Sequence, residues 1–481
     1  MIHKSFIIPI LAAATIPAAY ASGATTATPD SIAADSPTAT AISQSPTTTA
    51  ISQTPAYDNT AAQSVTLSRE ECIRIALDQS PTIKVADLEV NRMEYAKKEA
   101  QGSLFPTIDF QAAYQRSIEL QTIRMDMGGQ SQSLKMGSDN TWNFGFNAQM
   151  PLVNPVLWKS ISISKTQILA QMETARQSRL DLIDQINQAY YSLLLAIASK
   201  DVIQQNYDRA LFNADLYKKR FEAGTASEYD VLRSSVQATN IEPELLQADI
   251  SIRQCKLALK VLMGFDYNVD INPDTTLADM QREMYGYALG ADTDLSGNSA
   301  LRSLDIQTDI ARKNVNLKKF AWIPTLGATF NVSWLSLSNG NALRNQEFSP
   351  YSNVGLALSV PIFSGGSKYY GLKQAKVQVE ELRLQRENLL MQLTMQKDLA
   401  IDNINREVLQ IASSEQGMKE ARKAYDIMQK SFEIGAASYL DLRDSEIANT
   451  SAQLAYLQSI YNYLISTSEL DLLLGKEDEL R

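Results

Sequence analysis

The sequence predicts a mixed α+β membrane protein in which very long helices alternate with short amphipathic strand pairs, the whole plan being written twice. Three observations carry this expectation. The phrase FEAGTASEYDVL at 221–232 returns as FEIGAASYLDLR at 432–443, with Phe, Glu, Gly, Ala, Ser and Asp in register. Two stretches read as helices too long for a globular domain: 156–223 contains neither Pro nor Gly, and 368–433 is interrupted only by Gly371 and Gly417. Four short segments alternate apolar and polar residues with period two, the pattern of a strand with two unlike faces.

The chain of 481 residues opens MIHKSFIIPILAAATIPAAYAS. A short basic start, an apolar run and Ala19-Tyr20-Ala21 mark residues 1–21 as a cleaved secretory signal peptide. No cysteine stands near the cleavage point, which argues against a lipid anchor there. Lys4 and the single histidine, His3, leave with the leader, so the mature chain is one unit more negative than the −10 of the full sequence. An acidic chain with no basic tract is a poor partner for nucleic acid. A chain without histidine cannot build a Ser-His-Asp or Cys-His centre or a His-bound metal site. These exclusions argue against an enzyme and call for no cofactor. Outside the leader the longest apolar run is LLLAIA at 193–198, far below the ~20 residues of a membrane-spanning helix. An exported chain of this kind is either soluble in the periplasm or meets a membrane as strands. Cys72 and Cys255 lie among apolar neighbours in helical patterns and read as buried free thiols, with a disulfide the alternative in an exported protein.

Residues 22–64 are rich in Ser, Thr, Ala and Pro, with TAISQSP at 40–46 and TAISQTP at 49–55. They bury too little apolar surface to offset ordering and read as a disordered spacer. The first copy spans 65–264. Ser68 with Glu71 forms a capping box before one helix that Gly102 and Pro106 end. Strands follow at about 104–115 and 141–153, separated by a polar loop at roughly 116–140. Ile108, Phe110, Ala112 and Tyr114 alternate with polar neighbours in one, and Trp142, Phe144, Phe146, Ala148 and Met150 in the other. The long helix 156–222 carries a seam of Ile168, Met172, Ala175, Leu182, Ile186, Ala189, Leu193 and Ala196, and would span ~100 Å at 1.5 Å per residue. A tip turn at 223–227 leads into a return helix, 227–263, with Pro243 expected to kink it.

An aspartate-rich equatorial linker, 265–297, joins the copies. Its DTDLSG at 292–297 begins like a calcium loop, but the twelfth position is Ser303 where such a loop needs Glu, so it reads as a polar linker entering a helix. The second copy spans 298–476: a helix, strands at about 324–336 and 352–363, a long helix at 368–433, a tip turn at 434–438, a return helix at 438–474, and a tail at 477–481. Leu326, Ala328, Phe330, Val332 and Trp334 form one apolar row, and Val354, Leu356, Leu358, Val360 and Ile362 the other. The seam of this long helix includes Ile404, Val408, Ile411, Met418, Ala421, Tyr425, Met428 and Phe432. Repeats of this size imply a pseudo-symmetric architecture.

Period-two alternation suits a sheet with lipid on one side and water on the other, and equally a half-buried soluble sheet. The export leader, the long helices between the strand pairs and the aromatics Tyr114, Trp142 and Trp334 near strand ends favour the membrane. A closed barrel needs about eight strands or more. Four per chain therefore require two, three or four copies, and closure would also remove the exposed sheet edges.

Each copy must reverse at the far end of its long helix. Gly224 and Gly435 fit the left-handed residue after a helix. Ser227 with Asp230, and Ser438 with Asp441, fit N-caps with a carboxylate at the third helical position. Turn chemistry alone accounts for Gly224, Thr225, Ala226 and Ser227 and for Gly435, Ala436, Ala437 and Ser438. Asp444 falls three residues after Asp441 on the same helical face. The first copy has Arg233 at the equivalent place, so the acidic pair belongs to the second copy alone. A solvated acidic face beside Arg443 is the plain explanation.

The segment LSREECIRIALDQSPTIKVADLEVNRMEYAKKEAQGSLFP, the twofold plan and the paired FEAGTAS and FEIGAAS turns resemble the TolC-like outer-membrane efflux family over about 65–476. The second copy departs from the pattern where NSALRSLDIQTDIARKNV lacks the Ser-Pro of residues 80–81. The resemblance implies a homotrimer whose strands form a twelve-stranded transmembrane β-barrel in the outer membrane and whose helices form a coiled-coil barrel crossing the periplasm. It implies an exit duct of a tripartite efflux or type I export system, with a periplasmic adaptor (membrane fusion protein) and an inner-membrane transporter as partners. It places an acidic constriction on Asp441 and Asp444, and adaptor contacts on 224–227 and 435–438. A soluble periplasmic coiled-coil scaffold or adaptor is the alternative.

Overall fold

The computed structural model describes residues 64–127, 130–284, 294–340 and 346–476. The signal peptide, the spacer up to residue 63 and the tail at 477–481 lie outside the described residues. Contacts divide the chain into 1–59 and 60–481, and every described residue belongs to the second unit.

A short strand β1 (Ser64–Leu67) precedes α1 (Arg69–Gln79) and α2 (Pro81–Gly102). The capping box at Ser68 is formed: its Oγ accepts from the Glu71 N–H at 3.1 Å, and Glu71 Oε2 accepts from the Ser68 N–H at 3.0 Å. The single helix expected to run to Gly102 is instead two. Ser80 is extended, at φ −57° and ψ 128°, as a residue before proline must be, and Pro81 starts α2 at the position where its missing N–H costs nothing.

Strand β2 (Thr107–Arg116) is followed by β3 (Gln121–Met127), β4 (Gln130–Met136) and β5 (Asn140–Val153). The segment expected as a loop thus holds a hairpin of its own, with β3 and β4 antiparallel. In β3, Ile123, Met125 and Met127 alternate with Thr122, Arg124 and Asp126, but β4 is polar over 130–133, and pattern reading took the whole segment as a polar loop.

The long helix α3 (Pro155–Glu222) leads through the first tip to α4 (Glu228–Met263), which contains Pro243 without being divided by it. The linker holds β6 (Asp270–Pro273), parallel to β1, then α5 (Leu277–Met284) and a 3-10 turn at Leu295–Gly297. Then follow α6 (Ser299–Phe320), β7 (Thr325–Ser338), β8 (Ser349–Ser359), α7 (Ser367–Glu433) and α8 (Tyr439–Leu474). Helix, strand pair, long helix, tip and return helix therefore occur twice in the same order.

The packing is an open row at three levels. Strands run β2-β5-β7-β8, all antiparallel. On the sheet side of the central core the helices pack α2-α3-α6-α7, and on the far side α4-α3-α8-α7. One edge is always β2, α2 or α4; the other is β8 or α7. Both edges carry exposed apolar side chains. On α4 these are Tyr229, Leu232, Val236, Leu246, Ile250 and Val261; on α7 they include Met391, Met395, Leu399, Leu409 and Ile427.

The main core sits at the equator, where Cys72, Ile73, Leu180, Ile183, Ile186, Tyr190, Leu193, Leu259, Ile271, Ile460 and Leu474 are buried together. Of the expected α3 seam, Ala175, Leu182, Ile186 and Leu193 are buried, but Met172 is exposed. At that level α3 turns Ile163 and Thr166 inward instead, and Lys313 of α6 donates a hydrogen bond to Thr166. Both cysteines are free, Cys72 buried and Cys255 half-buried. Burial pushes the Cys72 thiol up to about 12, so it is an inert apolar core residue.

Candidate functional site

Two regions carry the features a conduit needs: the helical tips and the four-stranded sheet. Each tip ends its long helix in a left-handed glycine, Gly224 at φ 71° and Gly435 at φ 77°. A Cβ on either would meet open space, so the backbone angle alone selects glycine. The next N–H closes the turn: Thr225 donates to the Arg220 carbonyl at 2.8 Å, and Ala436 to the Ser431 carbonyl at 2.7 Å.

Reciprocal caps follow. Ser227 Oγ accepts from the Asp230 N–H at 3.2 Å, while Asp230 Oδ2 accepts from the Ser227 N–H and hydroxyl at 3.2 and 2.6 Å. Ser438 and Asp441 repeat this at 3.2, 3.1 and 2.6 Å. These bonds, the serine hydroxyl first and the backbone second, hold both carboxyls below the ordinary aspartate value. Asp444 is exposed one turn further along α8. Asp441 and Asp444 are thus brought to one exposed stretch of helix, with Asp441 committed to its cap and Asp444 not.

The tips are joined by a cluster that sequence reading did not assemble. Tyr217 of α3, Tyr425 and Phe432 of α7 and Leu442 of α8 are buried together, with Ala226, Val231, Ala437 and Tyr439 packed against them. Ring centroids lie 5.2 Å apart for Tyr217 and Tyr439, and 6.2 Å for Tyr217 and Phe432. Arg220 sits over Phe432 at 5.4 Å and Arg233 over Tyr439 at 5.4 Å, in the geometry of cation–π attraction. Arg233 is the first copy's counterpart of Asp444. Further from the turn, Arg209 Nε of α3 pairs with Glu446 Oε1 of α8 at 3.1 Å and stacks over Tyr425 at 5.3 Å. Burial raises the Glu446 carboxyl above its usual range against the pull of Arg209. Tyr425 and Phe432 were legible as seam positions; their partners Tyr217 and Arg209 lie more than 200 residues away, as does Arg209 from Glu446, and left no local signal.

In the sheet, register places most apolar strand residues on one face, with Leu335, Leu337 and Tyr351 on the other. Phe110, Phe146 and Val332 form one row, Ile108, Ala148, Phe330 and Val354 the next, and Met150, Ala328 and Leu356 a third. Ile108, Phe110, Phe330, Val354 and Leu356 stand exposed on it. The other face carries Asp109, Asn147, Asn331 and Asn353 in one row, and Thr107, Gln149, Thr329 and Gly355 beside it. This polar face is crowded. A Cβ on Gly145 would lie 2.4 Å from the Val332 carbonyl oxygen, and one on Gly355 2.9 Å from Thr329 Oγ1. Aromatics stack along the apolar face, Tyr114 with Trp142 at 4.5 Å and Phe144 with Trp334 at 5.4 Å. Where strands meet helices, Phe105, Trp158, Trp322 and Phe363 are exposed.

Among the described residues no group of three or more His, Cys, Asp or Glu is placed to hold a metal, and no helix is long and apolar enough to cross a membrane. Asp292 and Thr293 of the calcium-like motif lie outside the described residues; Asp294 instead caps the 3-10 turn through the Ser296 N–H at 3.1 Å.

Long paired helices, capped tips and a sheet with one greasy and one polar face define an outer-membrane conduit. The chain belongs to the outer membrane efflux protein family, whose profile matches residues 72–265 and 292–476. It is similar to the outer membrane protein TolC of Vibrio cholerae serotype O1, 21% identical over 337 residues, covering 70% of this chain and 77% of that one. It is also similar to the alkaline protease secretion protein AprF of Pseudomonas aeruginosa, 24% identical, covering 69% of each. In fold it matches CusC, with a TM-score of 0.69 at 17% identity, covering 86% of this chain and 93% of that one. The protein is therefore an outer-membrane efflux channel reaching into the periplasm, a transport conduit rather than an enzyme or a soluble scaffold.

Proposed function

We propose that three copies of this chain close edge to edge into one duct, a twelve-stranded barrel in the outer membrane continued by a helical coiled-coil barrel in the periplasm, each chain contributing two structural repeats. The observation that carries this reading is the open row, whose two edges fall on the same sides at the level of the sheet and at both helical levels. A head-to-tail contact of this kind closes into a ring when each copy turns by an equal fraction of a circle, one third for three copies. Edge β2 of one copy would meet β8 of the next, and α4 and α2 would meet α7, covering the apolar stripes on α4 and α7. The apolar sheet face would turn to lipid and the crowded polar face to the lumen. Exposed aromatics at the strand–helix junctions suit the girdle at a membrane interface.

At the far end, three copies would ring six tips. Asp441 and Asp444 would form two stacked rings of carboxylates that narrow the pore and attract cations. The turns at 224–227 and 435–438 would meet the helical hairpins of a periplasmic adaptor, which links the duct to an inner-membrane transporter. Relatives named for efflux and for protease secretion leave both small compounds and polypeptides as cargo classes.

The test is mass measurement of the detergent-extracted protein together with cross-linking of cysteines placed on β2 and β8. A heat-sensitive complex of three chains with β2–β8 cross-links supports the reading. A monomer that stays soluble without detergent overturns it.

A further inference from the structure

The water-facing side of the proposed barrel carries one charge per chain. Along that face the strands present Thr107, Gln111, Asn147, Asn331, Asn353 and similar uncharged groups, with Leu335, Leu337 and Tyr351 toward one end, and Asp109 is the one acidic residue. No lysine or arginine lies on that face of the four strands. Asp109 is exposed and makes no ion pair among the described residues. Its row is continuous across the sheet: Asp109 opposes Asn147, Asn147 opposes Asn331, and Asn331 opposes Asn353. Asp109 is the third residue of β2, near the end where the strand leaves α2.

We infer that Asp109 is a charge-selecting residue of the barrel, separate from the aspartates at the tips; this rests on the trimeric duct proposed above. Threefold closure would set the three Asp109 side chains at one height around the wall, since symmetry repeats each residue at the same level. The wall at that height then becomes a belt of uncharged polar groups, carboxamides among them, bearing three carboxylates and no cation. Carboxamides neither neutralise nor repel these carboxylates, so the belt keeps a net negative potential at the passage between helical tunnel and barrel. A ring of acidic side chains favours cations in a pore, and with a Debye length of about 10 Å at 0.1 M salt it acts on the ions passing along the wall. The duct would thus filter charge twice, at the tips and again at the foot of the barrel.

The experiment is the reversal potential of purified channels in planar bilayers under a potassium chloride gradient. Channels carrying Asp441→Ala and Asp444→Ala are used so that the tips do not mask the barrel. Adding Asp109→Asn should lower the remaining cation-to-anion permeability ratio by about twofold at 0.1 M salt, and adding Asp109→Lys should carry it to the anion side. The exposed position makes both variants compatible with folding, which the heat-sensitive oligomer on gels would verify. Well-formed channels whose reversal potential is the same with Asp, Asn or Lys at 109 would overturn the inference and leave the duct standing. Parent chains that form no channel at all would overturn the duct reading itself.

Discussion

The two tips share a backbone and differ in charge. Both end in a glycine near φ +70°, both close with an N–H to a carbonyl five residues back, and both use a Ser-to-Asp reciprocal cap with matching distances. Three residues beyond the capping aspartate they part. The first tip places Arg233 over the Tyr439 ring of the second, and the second presents Asp444 to solvent. The shared part is what any chain needs to reverse a helix. The part that differs separates a contact holding two hairpins together from a carboxylate left in solvent. The repeated phrase is therefore turn chemistry, and a function specific to one tip must be sought just outside it.

Mutations can break or sharpen this contrast. The largest functional difference is expected from charge: replacing Asp441 and Asp444 with Ala should raise single-channel conductance and weaken block by divalent cations, whereas Asp230→Ala in the first tip should change neither. Equal behaviour of the two tips would remove the acidic constriction. In stability, the largest loss should follow Arg209→Ala, about 3 kcal/mol, because it strands the buried Glu446 carboxylate; denaturant titration of the detergent-solubilised protein measures it. Gly224→Ala and Gly435→Ala should each cost about 1–2 kcal/mol and nearly the same amount, since the penalty is the left-handed backbone alone. Ser227→Ala and Ser438→Ala should each cost about 1 kcal/mol. A marked asymmetry in either pair would mean that one tip is held by more than its turn.

The smallest effect is in pH. Asp230 and Asp441 have folded values below their unfolded ones. Their contribution is present above ~pH 3.9 and is lost as pH falls through the lower folded values. Glu446 runs oppositely: burial lifts its folded value above the ordinary glutamate value, so the cost of ionising it is absent in acid and develops as pH rises through that interval. Thermal melts against pH should show Ser227→Ala and Ser438→Ala flattening the acid limb, while Glu446→Gln flattens the limb above it.

The capping boxes at Ser68, Ser227 and Ser438, the left-handed glycines and the strand faces were legible because each is fixed by residues within about four positions, or by a period of two. The same local reading passed over the β3–β4 hairpin, where β3 alternates but β4 is polar over most of its length, and merged α1 with α2 despite the Ser80-Pro81 break. Met172 fitted the α3 seam by spacing, yet α6 reaches that level and another face of the helix turns inward.

By itself the sequence determined where the chain reverses, which strand residues share a face and that its long helices need partners, since these follow from backbone angles, capping and side-chain period. Only the tertiary structure decided the order of the helices in the row, and with it which edges stay open. It alone brought Arg209 to Glu446 and Tyr217 to Phe432 and Tyr439. Those contacts join segments more than 200 residues apart, and nothing in local propensity encodes which of several compatible seams will meet.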